Sequence, residues 1–325
     1  MQRFITNSTN HFVRGLSSFV DMEFSTDEAQ IKSSGKAFIA WHPTANRSKK
    51  IWDYFRENGL PSYFMERGAL PDTVVIDPGG FLLNSPSYRE ANWNVELNDA
   101  ENKLIDGYVR ELRFGESSLE FQESARRPVK YIRGQLNLGT KKVVFVPMQL
   151  ANDQVTVRWS SWTGGVVGFQ KTLSLIAQNL SNYLFLVKNH PLSNNPNANT
   201  PQMRSCKNIV VADSFHYKDC LEVADVVLTI NSGIGLQAMA WRKPTVILGD
   251  AFYEFAGLNV KATSIDHLMT LLSSDLSVDQ GKAARFLYFL KFKLYSDCVL
   301  TKSPRDKYKN KTSRSKYLNV RIFNG

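Results

Sequence analysis

The feature of this sequence that most constrains its fold is a regular alternation of short apolar runs with segments of helical periodicity. In the second half, apolar runs cover 141–149, 183–190, 208–213, 225–232 and 244–250, and helical segments cover 169–182, 217–224 and 233–242. Continuous Val, Ile and Leu runs separated by helices are typical of parallel strands that are covered on both faces. The second half is therefore predicted to be an α/β domain with a parallel sheet.

The first half shows the same alternation less regularly. Strands are predicted at 36–41, 62–67 and 73–78, and helices at 45–58 and 98–114. Two such halves predict an α/β chain with two Rossmann-like domains facing each other across a cleft. We place the N-terminal domain at 1–160 and the C-terminal domain at 161–300, with the boundary near 155–168. Residues 1–35 are polar and show little periodicity, which is compatible with a loose lead-in, and the sequence leaves open whether they are ordered.

The last part of the chain differs in composition. Residues 281–295 are aromatic, apolar and basic at helical spacing, and residues 302–321 carry eight Lys or Arg and one Asp. One interpretation is a C-terminal helix packed on the domain, followed by a solvated basic tail over 301–325. The other is an anchor formed by 281–321 on an anionic membrane, where each basic residue contributes about 1 kcal/mol. The sequence leaves both interpretations open.

Charge and cysteine usage narrow the cellular setting. The formal net charge of +10 indicates an anionic partner, such as a nucleic acid, a membrane surface or an acidic or phosphorylated substrate. Three widely spaced cysteines without a CxxC pattern argue against a disulfide framework and a structural zinc site. The chain shows no signal peptide and no apolar run of about 18 residues, so we expect a cytoplasmic protein.

Polar side chains gather at the ends of four consecutive predicted strands, whereas the strand bodies carry almost none. The first strand end offers Gln149 and Asp153, the second Lys188, His190 and Pro191, the third Asp213, Ser214 and His216, and the fourth Thr229, Asn231, Ser232 and Gly233. Ligands of doubly wound sheets bind at the carboxyl ends of the strands. This clustering predicts a ligand site there.

Three of these residues, and Glu66 in the first half, each have both a functional and a structural interpretation. Ser232 precedes a helix, so it can hold a phosphate together with the helix N-terminus, or it can be an ordinary N-cap. His190 can be a loop residue or a hydrogen-bond donor to a nucleotide or a leaving phosphate. Asp153 can be a general base or a helix cap. Glu66, at the end of the strand 62–67, can line the cleft or form a salt bridge with Arg67 or another neighbouring cation.

Motifs that define several other classes are absent from the sequence. It contains no GxxxxGK[ST] loop, no GxGxxG after the first strand, no HExxH, no GxSxG and no Asp-x-Asp pair. It also shows no signature of nucleic-acid binding. ATPases, dinucleotide dehydrogenases, zinc proteases, α/β-hydrolases and nucleic-acid-binding proteins are therefore disfavoured.

Four segments together resemble the bacterial capsule polysaccharide synthesis family, the group of the KpsC, KpsS and LipA/LipB proteins. They are FMERGALPDTVVIDPGGFLLNSPS, FVPMQLANDQVT, VKNHP and ADVVLTINSGIGLQAMAWRKPTVILGDAFYEFAGL, in the family's order over roughly residues 60–260. The resemblance implies a GT-B-like fold and an inverting transfer of β-linked Kdo from CMP-Kdo. It also implies that no metal or other cofactor is needed.

The resemblance also implies roles for single residues. Asp153 would be the catalytic base, Glu66 would line the acceptor side, His190 would contact the CMP phosphate or assist its departure, and Ser232 would hold the phosphate. Donor or CMP binding would further involve Gln149, Lys188, Pro191, Ser214, His216, Thr229, Asn231 and Gly233. Two departures concern the acceptor and the linkage: Arg67-Gly68-Ala69 stands where the family usually has Asp-Gly-Phe, and Gln237 stands where it often has Glu.

The resemblance thus implies a metal-independent Kdo transferase of capsule or other surface polysaccharide synthesis. Its partners would be a nucleotide sugar and a glycan or glycolipid acceptor, and not a nucleic acid. The enzyme would be cytoplasmic or peripheral on the inner face of the cytoplasmic membrane. Two alternatives stay open: a GT-B transferase with another donor, such as CMP-sialic acid, and a non-catalytic membrane-bound scaffold of capsule assembly.

Overall fold

The computed structural model describes residues 2–43, 47–118, 126–193, 201–301 and 314–323. The chain divides into two compact units. The first contains Met1–Leu104, Glu116–Phe121 and Arg285–Gly325, and the second contains Ile105–Gly115 and Gln122–Ala284. The α/β class predicted from the sequence is confirmed, because each unit is built on its own twisted sheet with helices in the connections.

The elements have the following bounds. The strands are β1 (Arg3–Thr6), β2 (Asp21–Phe24), β3 (Ala37–Trp41), β4 (Ser62–Arg67), β5 (Thr73–Asp77), β6 (Lys142–Pro147), β7 (Tyr183–Lys188), β8 (Ile209–Val211), β9 (Val226–Thr229), β10 (Thr245–Ile247), β11 (Val260–Lys261), β12 (Tyr295–Thr301) and β13 (Arg314–Tyr317). The α-helices are α1 (His11–Leu16), α2 (Glu28–Ser33), α3 (Lys49–Glu57), α4 (Asp99–Phe114), α5 (Val129–Gln135), α6 (Gln154–Trp159), α7 (Gly165–Asn179), α8 (Pro201–Ser205), α9 (Tyr217–Val223), α10 (Gly233–Gln237), α11 (Ile265–Ser273) and α12 (Gln280–Tyr288).

The second unit carries a six-stranded, fully parallel sheet in the order β11-β10-β9-β6-β7-β8. The chain enters this sheet at β6, adds β7 and β8 on one side, and then returns to add β9, β10 and β11 on the other. The direction therefore reverses between β6 and β9, and in doubly wound sheets ligands bind at such a switch point, outside the carboxyl ends of the strands.

The core of the second unit explains why these segments are strands and helices. Val144 and Phe185 are fully buried on neighbouring strands and belong to the same cluster as Phe169, Leu173 and Ile176 of α7. The spacing of these three α7 residues puts them on one face of the helix. Each such side chain contributes about 1.5–3 kcal/mol by leaving water, so the apolar pattern fixes both the element type and the buried face.

The first unit carries a mixed seven-stranded sheet in the order β13-β12-β5-β4-β3-β1-β2. Strands β1 to β4 pair in parallel, whereas β5 is antiparallel to β4 and to β12. The antiparallel pairing of β4 and β5 follows from their short connection, because a parallel crossover needs a dozen or more residues. The predicted strands and helices of the first half are present, but the sheet is not purely parallel.

The sequence left the order of residues 1–35 open, and the structure shows an ordered segment in place of a loose lead-in. This segment forms β1, α1, β2 and α2, and β1 lies between β2 and β3. Phe4 and Ile5 of β1 are buried, and the side chain of Asp27 caps α2 by accepting from two backbone N–H groups. These elements have only four to six residues each. Such short elements show little periodicity and depend on their neighbours in the sheet.

The C-terminal segment also differs from the prediction. The helix predicted over 281–295 ends as a π-helical turn, Phe289–Leu294, and the chain then continues as β12 against β5. β13 pairs with β12, and the Tyr317 hydroxyl donates to the Phe12 carbonyl at 3.1 Å. Of the predicted basic tail over 301–325, residues 314–323 therefore belong to the first unit. Residues 302–313, 324 and 325 lie outside the described residues.

The two units do not coincide with the predicted ranges 1–160 and 161–300. Residues 122–160 belong to the second unit because β6 pairs with both β7 and β9 at the centre of its sheet. Residues 285–300 belong to the first unit because β12 extends the sheet beyond β5. Within the described ranges, no helix has the length and hydropathy needed to cross a bilayer.

Candidate functional site

A side-chain network lies at the switch point of the second unit. Gln149 follows β6, and its Nε2 donates to the Oδ1 of Asn231, which follows β9, at 2.9 Å. In return, the Asn231 backbone N–H and the Thr229 hydroxyl donate to Oε1 of Gln149 at 3.1 and 3.3 Å. Nε2 of Gln149 also donates to Thr156 Oγ1 at 2.9 Å. Gln149, Thr229 and Asn231 were predicted from the sequence to lie at strand ends, and these hydrogen bonds connect them.

Asn231 also donates hydrogen bonds to the backbone of α6 and of the loop after β10. It is almost fully buried, and its Nδ2 lies within 3.1–3.3 Å of the carbonyl oxygens of Val155, Trp159 and Asp250. Buried polar networks of this kind are stabilising only when every member is satisfied. The Asn231 amide therefore fixes the positions of α6 and of the loop after β10 around the end of β9.

The turn after β9 is built for close packing. The Ser232 hydroxyl accepts from the Ile234 N–H at 3.3 Å as the N-cap of α10, which begins at Gly233. The Tyr253 hydroxyl, which sequence analysis missed, donates to the Ser232 carbonyl at 2.6 Å. A side chain at Gly235 would lie 2.7 Å from that hydroxyl. The N-cap interpretation of Ser232 thus holds, and its phosphate-binding role stays a prediction.

Gly249 offers a direct test of how tightly this region is packed. A Cβ atom at residue 249 would lie 2.2 Å from the Trp159 carbonyl oxygen, which also accepts from Asn231. We expect Gly249→Ala to lower the free energy of unfolding by about 3 kcal/mol, because the clash is with the backbone. Gly107→Ala, in the open interior of α4, should instead raise it by about 0.5–1 kcal/mol. Urea unfolding of both variants checks this, and equal midpoints would contradict it.

The end of β7 is tied to the end of β8 through Asp213. The buried Lys188 ammonium donates to the Asp213 carbonyl at 3.0 Å. The backbone N–H and Nδ2 of Asn189 donate to the two carboxylate oxygens of Asp213 at 2.7 and 2.8 Å. The Oδ1 of Asn189 is buried with no hydrogen-bond partner among the described residues. Asn189 lies within the quoted VKNHP segment, but it was not among the predicted site residues.

Two predicted histidines share one arrangement. His190 Nδ1 accepts from the Leu192 N–H, and His216 Nδ1, at the N-cap of α9, accepts from the Lys218 N–H, both at 3.1 Å. In each neutral ring the proton is therefore assigned to Nε2, which becomes a donor. The ring of His216 can thus offer an N–H to an anionic oxygen.

The environment of His216 keeps it neutral. Burial, followed by the nearby cations Arg126, Lys218 and Lys188, lowers the pKa of His216 to about 4. Near neutral pH this ring is therefore an uncharged donor. Pro191 and Ser214, also predicted for this site, are exposed beside these residues in the sequence.

Asp153 lies at the start of α6, on the segment that follows β6. Its carboxylate is exposed and accepts from the Val155 N–H at 2.7 Å as the N-cap of the helix. The structural interpretation of Asp153 as a helix cap is therefore correct. An exposed carboxylate that caps a helix can also accept a proton from the hydroxyl of a bound ligand. The role of Asp153 as base therefore stays a prediction.

Glu66 lies in the first unit, at the end of β4. Its Oε1 lies 3.2 Å from Nε2 of His42, which follows β3. His42 has a left-handed φ of 45°, which is rare for a non-glycine residue, and its ring contacts Phe64 and Phe81 edge-on. The structure thus pairs Glu66 with His42, which was not among the predicted site residues. Its acceptor-side role stays a prediction.

A second carboxylate of the first unit, that of Asp77, was not among the predicted site residues. It ends β5 and is buried; its Oδ1 accepts from the Gly79 N–H at 2.7 Å and from the Ser87 hydroxyl at 3.0 Å. Its Oδ2 is buried without a hydrogen-bond partner in the described structure. Burial raises the pKa of Asp77 despite these bonds. The sequence signal for such a residue is an acid at the last position of a mostly apolar strand.

The raised pKa of Asp77 has a consequence for stability. Folding favours its protonated form, so the wild type loses stability as pH rises from the ordinary value of 3.8 through the raised folded value. We expect Asp77→Asn, which is neutral at every pH and keeps an oxygen acceptor, to gain stability relative to wild type as pH rises. Urea midpoints between pH 4 and pH 8 measure this, with the exposed Asp106→Asn as control. A difference that shrinks with rising pH would contradict the assignment.

The chain has the two-unit α/β fold of GT-B-like glycosyltransferases. Two solved structures from Thermosulfurimonas dismutans KpsC share the fold over 88% of this chain. The beta Kdo 2,7 transferase superposes with a TM-score of 0.59 at 18% identity, covering 89% of that chain. The beta Kdo 2,4 transferase gives 0.61 at 13% identity, covering 90%. The GT-B-like fold predicted from the sequence is confirmed.

The chain belongs to the family of capsule polysaccharide biosynthesis proteins, whose model matches residues 118–288, more than half of the chain. The resemblance stated from the sequence is therefore confirmed. Among curated proteins, FixF from Sinorhizobium fredii is 24% identical over 218 residues, which are 66% of this chain and 49% of FixF. The chain thus spans about half the length of that relative.

Proposed function

We propose that this chain is an inverting glycosyltransferase that moves Kdo from CMP-Kdo to a glycan or glycolipid acceptor in capsule polysaccharide synthesis. One observation carries the proposal. The four strands whose ends hold the predicted donor residues are neighbours in the sheet, in the order β9-β6-β7-β8, and all are parallel. Their polar ends therefore lie along one edge, on both sides of the switch point.

The proposed reaction is a single displacement at the anomeric carbon of the sugar. The acceptor oxygen forms a bond to this carbon as the bond to the phosphate oxygen of CMP breaks, so the configuration inverts. Asp153 takes the proton of the acceptor hydroxyl, and CMP leaves with the electron pair of the broken bond. Hydrogen-bond donors aimed at the developing phosphate charge lower the barrier.

The residues at the strand ends can supply these donors. The Nε2–H group of His216 and the hydroxyl of Ser232 are neutral donors, His190 follows β7 beside them, and Lys188 adds a positive charge near the end of β7. Gln149, Thr229 and Asn231 hold the turn between β9 and Gly233 in place. In this scheme no step requires a metal or another cofactor, and this part of the proposal rests on the family resemblance.

The setting of the enzyme is part of the proposal. A cytoplasmic enzyme peripheral on the inner membrane would meet both a soluble nucleotide sugar and a lipid-linked acceptor. Arg314 and Lys316 of β13 are exposed and would add positive charge at the edge of the first sheet. Binding to anionic vesicles, with an Arg314→Gln, Lys316→Gln double variant as comparison, tests this arrangement.

The experiment that tests the function is CMP release from CMP-Kdo, measured with EDTA and without added metal. We expect slow release without acceptor and faster release with a Kdo- or galactose-ended glycan or glycolipid. CMP-sialic acid, assayed in parallel, separates Kdo transfer from the use of another donor. If CMP-Kdo is neither bound nor turned over, the Kdo assignment is refuted. Inactivity with every nucleotide sugar would favour a non-catalytic scaffold.

A further inference from the structure

The first unit contains a cavity of about 530 Å³ that none of the predicted site residues lines. It lies at the carboxyl ends of the parallel strands β1 and β2, between the segments that follow them. Its volume falls in the range of about 300–1,000 Å³ that is usual for small-molecule sites. Six of its nine lining residues are Ser or Thr, so the wall offers many hydroxyl groups.

The cavity has one charged side chain in its lining, Arg14 of α1. Arg14 is exposed, and its guanidinium makes no hydrogen bond or ion pair with the described part of the chain. An arginine fork that is not engaged by the protein matches a carboxylate or a phosphate through two parallel hydrogen bonds. The lining therefore favours a ligand with one anionic group.

The remaining wall suits a hydroxylated ring. Phe24 closes one side and is 47% exposed. The phenyl ring of Phe24 can cover the apolar face of a sugar, as aromatic side chains do in ligand pockets. The Asn7 Nδ2 and the hydroxyls of Thr9 and Thr26 make no hydrogen bonds within the described ranges, so they can serve sugar hydroxyls.

We infer that this cavity binds a sugar residue that carries a carboxylate or phosphate group, as part of the acceptor glycan. The inference rests on the proposed function, which supplies the reason for a glycan, while the lining supplies the anionic group. Arg14 holds the anion, Phe24 covers the ring, and Asn7, Thr9 and Thr26 bind hydroxyls. The exposure of Arg14, Phe24 and Thr26 leaves room for the rest of a glycan to extend into solvent.

Ligand-observed NMR with the full chain tests the inference. The probes are the methyl glycoside of Kdo, glucose 1-phosphate, methyl galactoside and inorganic phosphate. We expect at least one of the two anionic sugars to bind, and whichever binds identifies the anionic group. Arg14→Gln and Phe24→Ala should each weaken that binding at least fivefold, whereas Arg89→Gln, an exposed arginine outside the cavity, should leave it unchanged.

Four results would overturn the inference. They are no binding by either anionic sugar, equal binding of the neutral galactoside, unchanged affinity in Arg14→Gln, or binding of inorganic phosphate with no contribution from Phe24. Because Arg14 and Phe24 are exposed, their variants should fold, which circular dichroism verifies.

The same samples separate this inference from the proposed function. CMP release from CMP-Kdo with no sugar bound in the cavity would overturn the inference alone. Sugar binding that depends on Arg14 and Phe24, without any CMP release, would overturn the Kdo proposal alone. Asp153→Asn should still bind the anionic sugar, because Asp153 does not line the cavity.

Discussion

Replacing Asp153 by Asn is expected to lower acceptor-dependent turnover of CMP-Kdo by about 10²–10⁴-fold, the usual contribution of a general base. Asn cannot take the proton of the acceptor hydroxyl. It is, however, as good an N-cap as Asp, so α6 should keep the cap that now accepts from Val155. The unfolding midpoint should therefore stay at the wild-type value while activity is lost.

Asp153→Ala provides the complementary measurement. It removes both the base and the cap, so it should lose the same activity and also about 1 kcal/mol of stability. Asp27 is the control, because it is also the N-cap of a helix, α2, where it accepts from Ala29 and Gln30. Asp27→Asn and Asp27→Ala should repeat the stability pattern with full activity. Full turnover by Asp153→Asn would show that the carboxylate is only a cap.

Asn231→Ala is expected to lower the free energy of unfolding by about 3 kcal/mol. The change leaves Gln149 and three backbone carbonyls without the donor or acceptor that Asn231 supplies. Buried polar groups without partners cost about 1–3 kcal/mol each, and partial relaxation limits the sum. CMP affinity, measured by calorimetry, should also fall at least tenfold because the turn at the switch point loses its support.

Asn208 is a matched control for this variant. Its Nδ2 also donates to three backbone carbonyls, those of Ala177, Leu180 and Tyr183. It directly precedes β8, at the end of the sheet opposite to the switch-point network. Asn208→Ala should therefore cost similar stability and leave CMP affinity unchanged. If both variants bind CMP equally, the network at the switch point has no part in donor binding.

Several properties of the site followed from the sequence because they depend on local pattern. Strands buried on both faces must be apolar along their length, so the first polar residue after each run marks a strand end. This pattern located Gln149, Lys188 and Asn231 correctly. It also predicted that they share an edge, since parallel strands place their carboxyl ends together.

Other parts of the site could not be read from the sequence. The bonds of Asn231 to Trp159 and Asp250 join residues far apart in the chain, and no local pattern encodes them. The pairing of Glu66 with His42 depends on the parallel register of β3 and β4. The role of Asp153 as a cap or base was open for a different reason, since a carboxylate before a helix fits both.

The sequence by itself determined the α/β class, the approximate positions of the longer elements and the edge of the second sheet where its polar residues gather. The tertiary structure decided that β6 lies at the switch point, that residues 3–33 and 314–317 add strands or helices to the first unit, and that a cavity lies beside Arg14. The physical reason is the range of the interactions. Apolar periodicity acts within a few neighbouring residues, whereas short strands, buried amides and cavities are stable only through contacts between distant segments.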